Sequence, residues 1–248
     1  MVEQLLQYID TRIEHEKARR VFAIDFQGDR YFIKQDISNH RSTWIKPSPR
    51  AAFDYEFYKM NYVRTRLPLA PKIIGFREHY FVTLDCGQNL TYYSHLPKEH
   101  HDDSTIRELV KHIFYVFGKS LGQLHDYGIA HGRPALRDIV YNPDIDQVTF
   151  LDWENNRRWS AFTPSGWDLL LFIHSYIREG DLPLDYLHVA LDGYNTAHTA
   201  RHTMLHVNEV LCKYDYLFSF CRLLEPFHFV DTEAAVKAYD FVLGLKTE

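Results

Sequence analysis

Cysteine is scarce in this chain: the 248 residues hold only Cys86, Cys212 and Cys221. Three scattered thiols indicate neither a disulfide framework nor a CxxC zinc site. Long hydrophobic runs are missing too. No apolar stretch approaches the ~20 residues of a membrane-spanning helix, so no transmembrane segment is expected. The opening Met1-Val2-Glu3-Gln4 lacks the character of a signal peptide, and a cytoplasmic, reducing location is expected. An excess of basic charge is also absent. Lys and Arg number 28 against 33 Asp and Glu, a net charge of −5, which leaves no electrostatic footprint for nucleic acid.

What the chain does have is apolar and aromatic mass. It is 46% hydrophobic and 15% aromatic, with 17 Phe and 17 Tyr, a composition that argues against disorder. The length suits one large domain or two lobes.

Residues 4–20 read as a short charged helix. Next comes a hairpin: Val21–Phe26, a turn at Gln27-Gly28-Asp29, then Tyr31–Gln35, with Phe32 and Lys34 on one face. Residues 36–49 read as a loop, and a helix is expected from about Arg50 to Arg64. Phe53, Phe57, Met60 and Arg64 recur at helical spacing, and Glu56 lies on that mostly apolar stripe. A carboxylate there needs a partner, because an unpaired buried charge is costly.

Strands are expected at Ile73–Phe76 and Tyr80–Leu84, followed by a connector at Asp85-Cys86-Gly87. Thr105 and Glu108 read as a capping box opening a long helix that stops at Gly128. Then come His131-Gly132-Arg133, Asp138, and a second hairpin from 139–141 and 148–151, closing in Asp152-Trp153-Glu154. Symmetric pairing of that hairpin sets Asp138 opposite Asp152 at its open end. Two carboxylates so placed suit a hard divalent cation. The remainder, 167–248, reads as aromatic-rich helices, and His198, His202 and His206 recur at i, i+4, i+8 on one of them. The outer two are ~12 Å apart along a helix axis, too far to share one ion.

Lys34 on an early strand, Glu56 on the next helix, His131-Gly132 after a long helix and Asp152 closing a hairpin together resemble the protein-kinase-like superfamily. Tyr31-Phe32-Ile33-Lys34 resembles its third-strand lysine motif, and Asp138 falls where the family has a metal-binding Asn. Asp152-Trp153-Glu154 is more similar to the choline and aminoglycoside phosphotransferases and to bacterial kinases of lipopolysaccharide core (Kdo/heptose) sugars. Two features depart from the family. Gly28 is the only glycine among the first 74 residues, so no glycine-rich loop precedes the hairpin. Arg133 stands where the family has its catalytic Asp, and arginine cannot take a proton.

The resemblance implies an α+β, two-lobed kinase-like fold. A small N-terminal lobe (1–87) of antiparallel sheet with one main helix would bind nucleotide, and a larger, mainly helical lobe (88–248) would carry the catalytic loop. It implies ATP and Mg²⁺ as cofactors. Lys34, Glu56, Asp85 and Gly87 would serve the nucleotide, Asp138 and Asp152 the metal, and Arg133, Asp138 and Asp152 catalysis. Arg133 either neutralises the transferring phosphate or holds an anionic acceptor, and Asp138 is either base or metal ligand. Arg157 and Arg158 are candidate contacts for a phosphorylated acceptor, or else a solvated pair. The implied activity is phosphoryl transfer to a hydroxyl of a small molecule or bacterial glycolipid, with peripheral contact at the inner face of the inner membrane allowed. A catalytically silent nucleotide-binding or regulatory module is the alternative.

Overall fold

The computed structural model describes residues 1–37, 48–99, 103–155, 158–180, 182–223 and 228–245. It is an α+β structure with two compact units: residues 1–87 with 149–155, and residues 88–148 with 156–248. The segment 149–155, assigned by sequence to the second region, therefore belongs to the first. Among the described residues, no helix is long and apolar enough to cross a membrane.

The first unit begins with α1 (Val2–Ile13), which ends in a single 3-10 turn at Glu14–Glu16 rather than running on to residue 20. The buried Gln35 amide explains that stop. It donates to the carbonyls of Glu16 (3.0 Å) and Arg19 (2.7 Å), carbonyls that a continuing helix would have used internally.

Next come β1 (Val21–Phe26) and β2 (Asp29–Gln35). Gln27 and Gly28 between them have φ of +52° and +92°, the left-handed pair that matches a two-residue turn to strand twist. α2 (Pro49–Arg64) is capped by Ser48, whose hydroxyl accepts the Ala51 N–H at 3.2 Å, and Pro49 occupies the first helical position. β3 (Ile73–Arg77) and β4 (Tyr80–Leu84) complete an antiparallel sheet in the order β1-β2-β4-β3.

Period-2 alternation gives this sheet two faces. Phe22, Ile24, Tyr31, Ile33, Tyr80 and Val82 bury against Leu5, Leu6 and Ile9 of α1. Lys34 pairs in register with Phe81, whose ring lies 5.2 Å from Phe53 of α2. Lys34 is thereby committed to the α2 side, the side that carries Glu56. Residues 149–155 tie in through the Phe150 N–H, which donates to the Leu69 carbonyl at 2.8 Å, and through Trp153, which is fully buried.

The second unit opens with β5 (Gln88–Asn89), α3 (Leu90–Glu99) and α4 (Ser104–Asp126). The cap of α4 is Asp103, one residue before the helix, and not a Thr105/Glu108 box. Its carboxylate accepts the Thr105 N–H (2.8 Å) and the Ile106 N–H (3.3 Å), while Glu108 pairs with Lys111 instead. β6 (Ile139–Asn142) pairs with β5, and β7 (Gln147–Phe150), which starts in this unit, completes a three-stranded order β5-β6-β7.

Five helices complete the unit: α5 (Pro164–Arg178), α6 (Leu184–Tyr194), α7 (Ala200–Lys213), α8 (Asp215–Leu223) and α9 (Val230–Gly244). His198 precedes α7, so the three histidines do not share that helix; the His198 N–H instead donates to Asp126 at 3.1 Å. α4 and α6 touch backbone to backbone. A Cβ on Gly118 would lie 1.8 Å from the Ala190 carbonyl oxygen, and one on Gly193 would lie 2.1 Å from that of Tyr115. No side chain fits at either contact.

Candidate functional site

In the first unit, five charged side chains converge. Lys34 makes an ion pair with Glu56, which is 2% exposed as a residue. The same ammonium donates to Asp152 Oδ1 at 3.1 Å and lies 3.8 Å from Glu154 Oε2. Arg20 grips Glu154 with both guanidinium nitrogens, Nη1 donating to Oε1 at 3.0 Å and Nη2 to Oε2. Two parallel bonds fix orientation as well as charge.

Local structure accounts for each position. The β2 register aims Lys34 at α2, and one turn of α2 beyond Phe53 brings Glu56 to the same side. Asp152 has φ of +59°, a left-handed conformation that Asp tolerates better than most residues. Its neighbour Trp153 anchors it there. The indole N–H donates to the Phe150 carbonyl at 2.7 Å, closing the chain on itself, and the Lys59 ammonium lies 5.4 Å from the ring's centre.

The electrostatics rest on a count of charges. Three carboxylates face two cations. Burial pushes the Glu56 carboxyl up to about 7; Lys34 opposes this, while Asp152 and Glu154 reinforce it. Lys34 also moves up: burial disfavours its ammonium, but Glu56 and Asp152 outweigh that cost. Glu56, the most buried of the carboxylates, is thus the one that most readily takes a proton. Glu56, Asp152 and Glu154 each offer an oxygen within 4.8 Å of the others, a hard donor set. All three are already engaged, Glu56 and Asp152 by Lys34 and Glu154 by Arg20, so a cation here would meet ion-paired carboxylates.

In the second unit, Asp168 of α5 is fully buried and accepts the N–H groups of His131 (2.5 Å) and Gly132 (2.7 Å). His125 Nε2 lies 3.3 Å from the same carboxylate, and its Nδ1 lies 2.7 Å from the Tyr194 hydroxyl. This network sets the backbone of the loop, where Gly132 takes φ of +107°. Arg133 Nη2 then reaches Asp138 Oδ2 at 3.4 Å, and Arg137 Nε lies 3.5 Å from Oδ1. Asp138 is thus flanked by two guanidiniums.

No protein-family model matches the chain. A Haemophilus influenzae protein, described only as an uncharacterized protein, is 28% identical to it over 183 residues, which is 71% of this chain and 70% of that protein.

Among the residues singled out by sequence, Lys34, Glu56 and Asp152 come together in the first unit, and Arg133 and Asp138 in the second. Asp85 and Gly87 join neither group. The Gly87 N–H donates to the Asp85 carboxylate at 2.9 Å, a local turn in which Gly87 has φ of +113°. Arg158 donates to the Phe162 carbonyl at 2.6 Å, while Arg157 lies outside the described residues. Arg20 escapes sequence reading because it sits in a charged segment without periodicity. Its one sequence signal is its place immediately before β1, the strand that pairs with that of Lys34.

Proposed function

We propose that the protein is an ATP-dependent phosphotransferase of protein-kinase-like, two-lobed architecture. Its acceptor is a hydroxyl of a small molecule or a bacterial glycolipid such as a lipopolysaccharide core sugar. The observation that carries this reading is the Lys34 ammonium, ion-paired to buried Glu56 and hydrogen-bonded to Asp152. A structural ion pair needs one carboxylate, whereas this lysine has three around it. Such a set is suited to a ligand that is itself both anionic and metal-bound.

In this reading Lys34 orients the nucleotide phosphates and Glu56 holds Lys34 in place. Asp152 and Asp138 are the Mg²⁺ ligands, and the metal when bound supplies neutralisation of charge on the phosphates. Glu154, fixed by Arg20, keeps a second carboxylate beside Asp152. Phosphoryl transfer depends chiefly on positioning and charge, so a loop without the usual carboxylate base remains compatible with turnover. Arg133 then acts on developing charge rather than on a proton.

The silent-module reading is favoured by one observation: Arg133 spends its guanidinium on Asp138, as a locked loop would. Thermal-shift titration with ATP and Mg²⁺ separates these readings. Ligand at about 100 times its dissociation constant stabilises by about 2.7 kcal/mol. A Mg²⁺-dependent shift that Asp152→Asn abolishes, accompanied by ATP consumption with a hydroxyl acceptor, supports the phosphotransferase. The same shift without turnover supports the silent module. No Mg²⁺-dependent shift in the parent protein refutes the phosphotransferase.

A further inference from the structure

α8 is an amphipathic helix that turns its apolar side outward. A helix of nine residues does not hold itself in water and depends on burying a face. Yet no residue of α8 is buried. Its contacts within the second unit run along one side only. The Phe218 ring is stacked on Tyr239 of α9 with centres 4.3 Å apart, Arg222 forms an ion pair with Asp240, and the Tyr239 hydroxyl donates to Asp215 at 2.5 Å.

The opposite side carries Tyr216, Phe220 and Leu223 at i, i+4 and i+7, a stripe about 60° wide on the helix. They are 63%, 60% and 71% exposed, and Leu217 flanks them at 37%. At its first turn the stripe continues through ring contacts: Tyr216 lies 6.1 Å from Tyr214, and Tyr214 lies 4.8 Å from Trp159. At about 200 Å² per large side chain, the four α8 residues expose roughly 400 Å² of apolar surface. Patches of this size on a monomer are often functional. A standard homodimer interface takes about 800 Å² from each partner, about 65% of it apolar, or roughly 500 Å². The α8 patch supplies most of that area.

We propose that α8 is a homodimer contact, covered in solution by α8 of a second copy around a two-fold axis. The stripe is self-complementary when the two helices run antiparallel: Phe220 meets Phe220 of the other copy at the axis, and Tyr216 of each copy meets Leu223 of the other. Every such contact is apolar or aromatic, while Asp215 and Arg222 remain on the side held by α9. Charge favours a second copy over a bilayer. Helices that lie on membranes carry Lys and Arg along their polar face. On α8 the Arg222 charge is met by Asp240, and Asp215 adds a negative one. The contact uses no residue of the Lys34 cluster.

Sedimentation equilibrium of the full chain, from about 1 to 300 µM, tests the contact. A reversible monomer–dimer equilibrium with a dissociation constant in the micromolar range is expected. Phe220→Ala weakens it about tenfold or more. Phe220→Glu and Tyr216→Glu each leave the chain monomeric, with circular dichroism and melting temperature unchanged, because both side chains are exposed in the monomer. Tyr58→Glu, at an exposed position on α2, leaves dimerisation as it was. A monomer at every concentration overturns the proposal, whether or not the parent binds phosphatidylglycerol vesicles. So does a dimer that survives both glutamate substitutions on α8.

Discussion

Replacing Glu56 with glutamine keeps the shape of the side chain and removes its titration. In the folded chain the Glu56 carboxyl is pushed up to about 7 from its ordinary 4.5, mainly by burial. A folded-state value above the unfolded one means the native state binds the proton more tightly between those two limits. Stability from this group is therefore fully present below pH 4.5 and is lost as pH rises through about 7. At about 1.36 kcal/mol per pH unit the whole effect is about 3 kcal/mol, and about 2.5 kcal/mol of it falls between pH 5 and pH 8. Urea unfolding of parent and Glu56→Gln proteins over that range, with divalent cations chelated, isolates the contribution, since titrating groups that do not interact with Glu56 cancel in the difference. The parent should lose stability relative to Glu56→Gln as pH rises, by about 2–3 kcal/mol. A pH-independent difference would mean that Glu56 stays ionised throughout and that Lys34 fully offsets its burial, which refutes the reasoning from three carboxylates and two cations.

The neighbouring positions carry further expectations. Lys34→Met strands the buried carboxylate and should cost about 3–5 kcal/mol at pH 8; because Glu56 can then take a proton, the loss should shrink at pH 5, as denaturant midpoints will show. Asp168→Ala leaves the His131 and Gly132 amides without their acceptor, a cost of about 2–5 kcal/mol, and hydrogen exchange at those two amides should rise beyond the global change in stability. Gly193→Ala places a methyl against the Tyr115 carbonyl and should lower stability by about 3 kcal/mol in calorimetry, whereas Gly244→Ala, which meets nothing within 4 Å, should not.

Much of the local structure is legible in the sequence, and for identifiable reasons. The Val21–Phe26 and Tyr31–Gln35 strands show period-2 patterning around a Gly-containing turn, and α2 is legible in the helical spacing of Phe53, Phe57, Met60 and Arg64. Glu56 is readable as an anomaly, a carboxylate on an apolar stripe, and its partner is the nearest strand lysine. The failures trace to contacts that local patterning does not encode. α1 is shorter than its charged, helix-compatible sequence suggests because nothing in residues 14–20 predicts that Gln35 will claim their carbonyls. The cap of α4 falls on Asp103 rather than Thr105 because the two compete, and the acidic side chain reaches two amides at once. Arg20 is invisible because its partner, Glu154, is 134 positions away.

The return of residues 149–155 to the first unit has a consequence for how the chain is made. During synthesis the sheet of β1–β4 emerges early, but the indole of Trp153 and the carboxylate of Asp152 arrive only after residues 88–148 have left the ribosome. Until then Lys34 and Glu56 have each other but not the full set of charges, and Leu69 lacks its backbone partner at Phe150. The first unit is thus an assembly of two chain segments finished late. A protease cut after Gly87 would free neither unit, and a fragment ending there would lack its largest buried side chain.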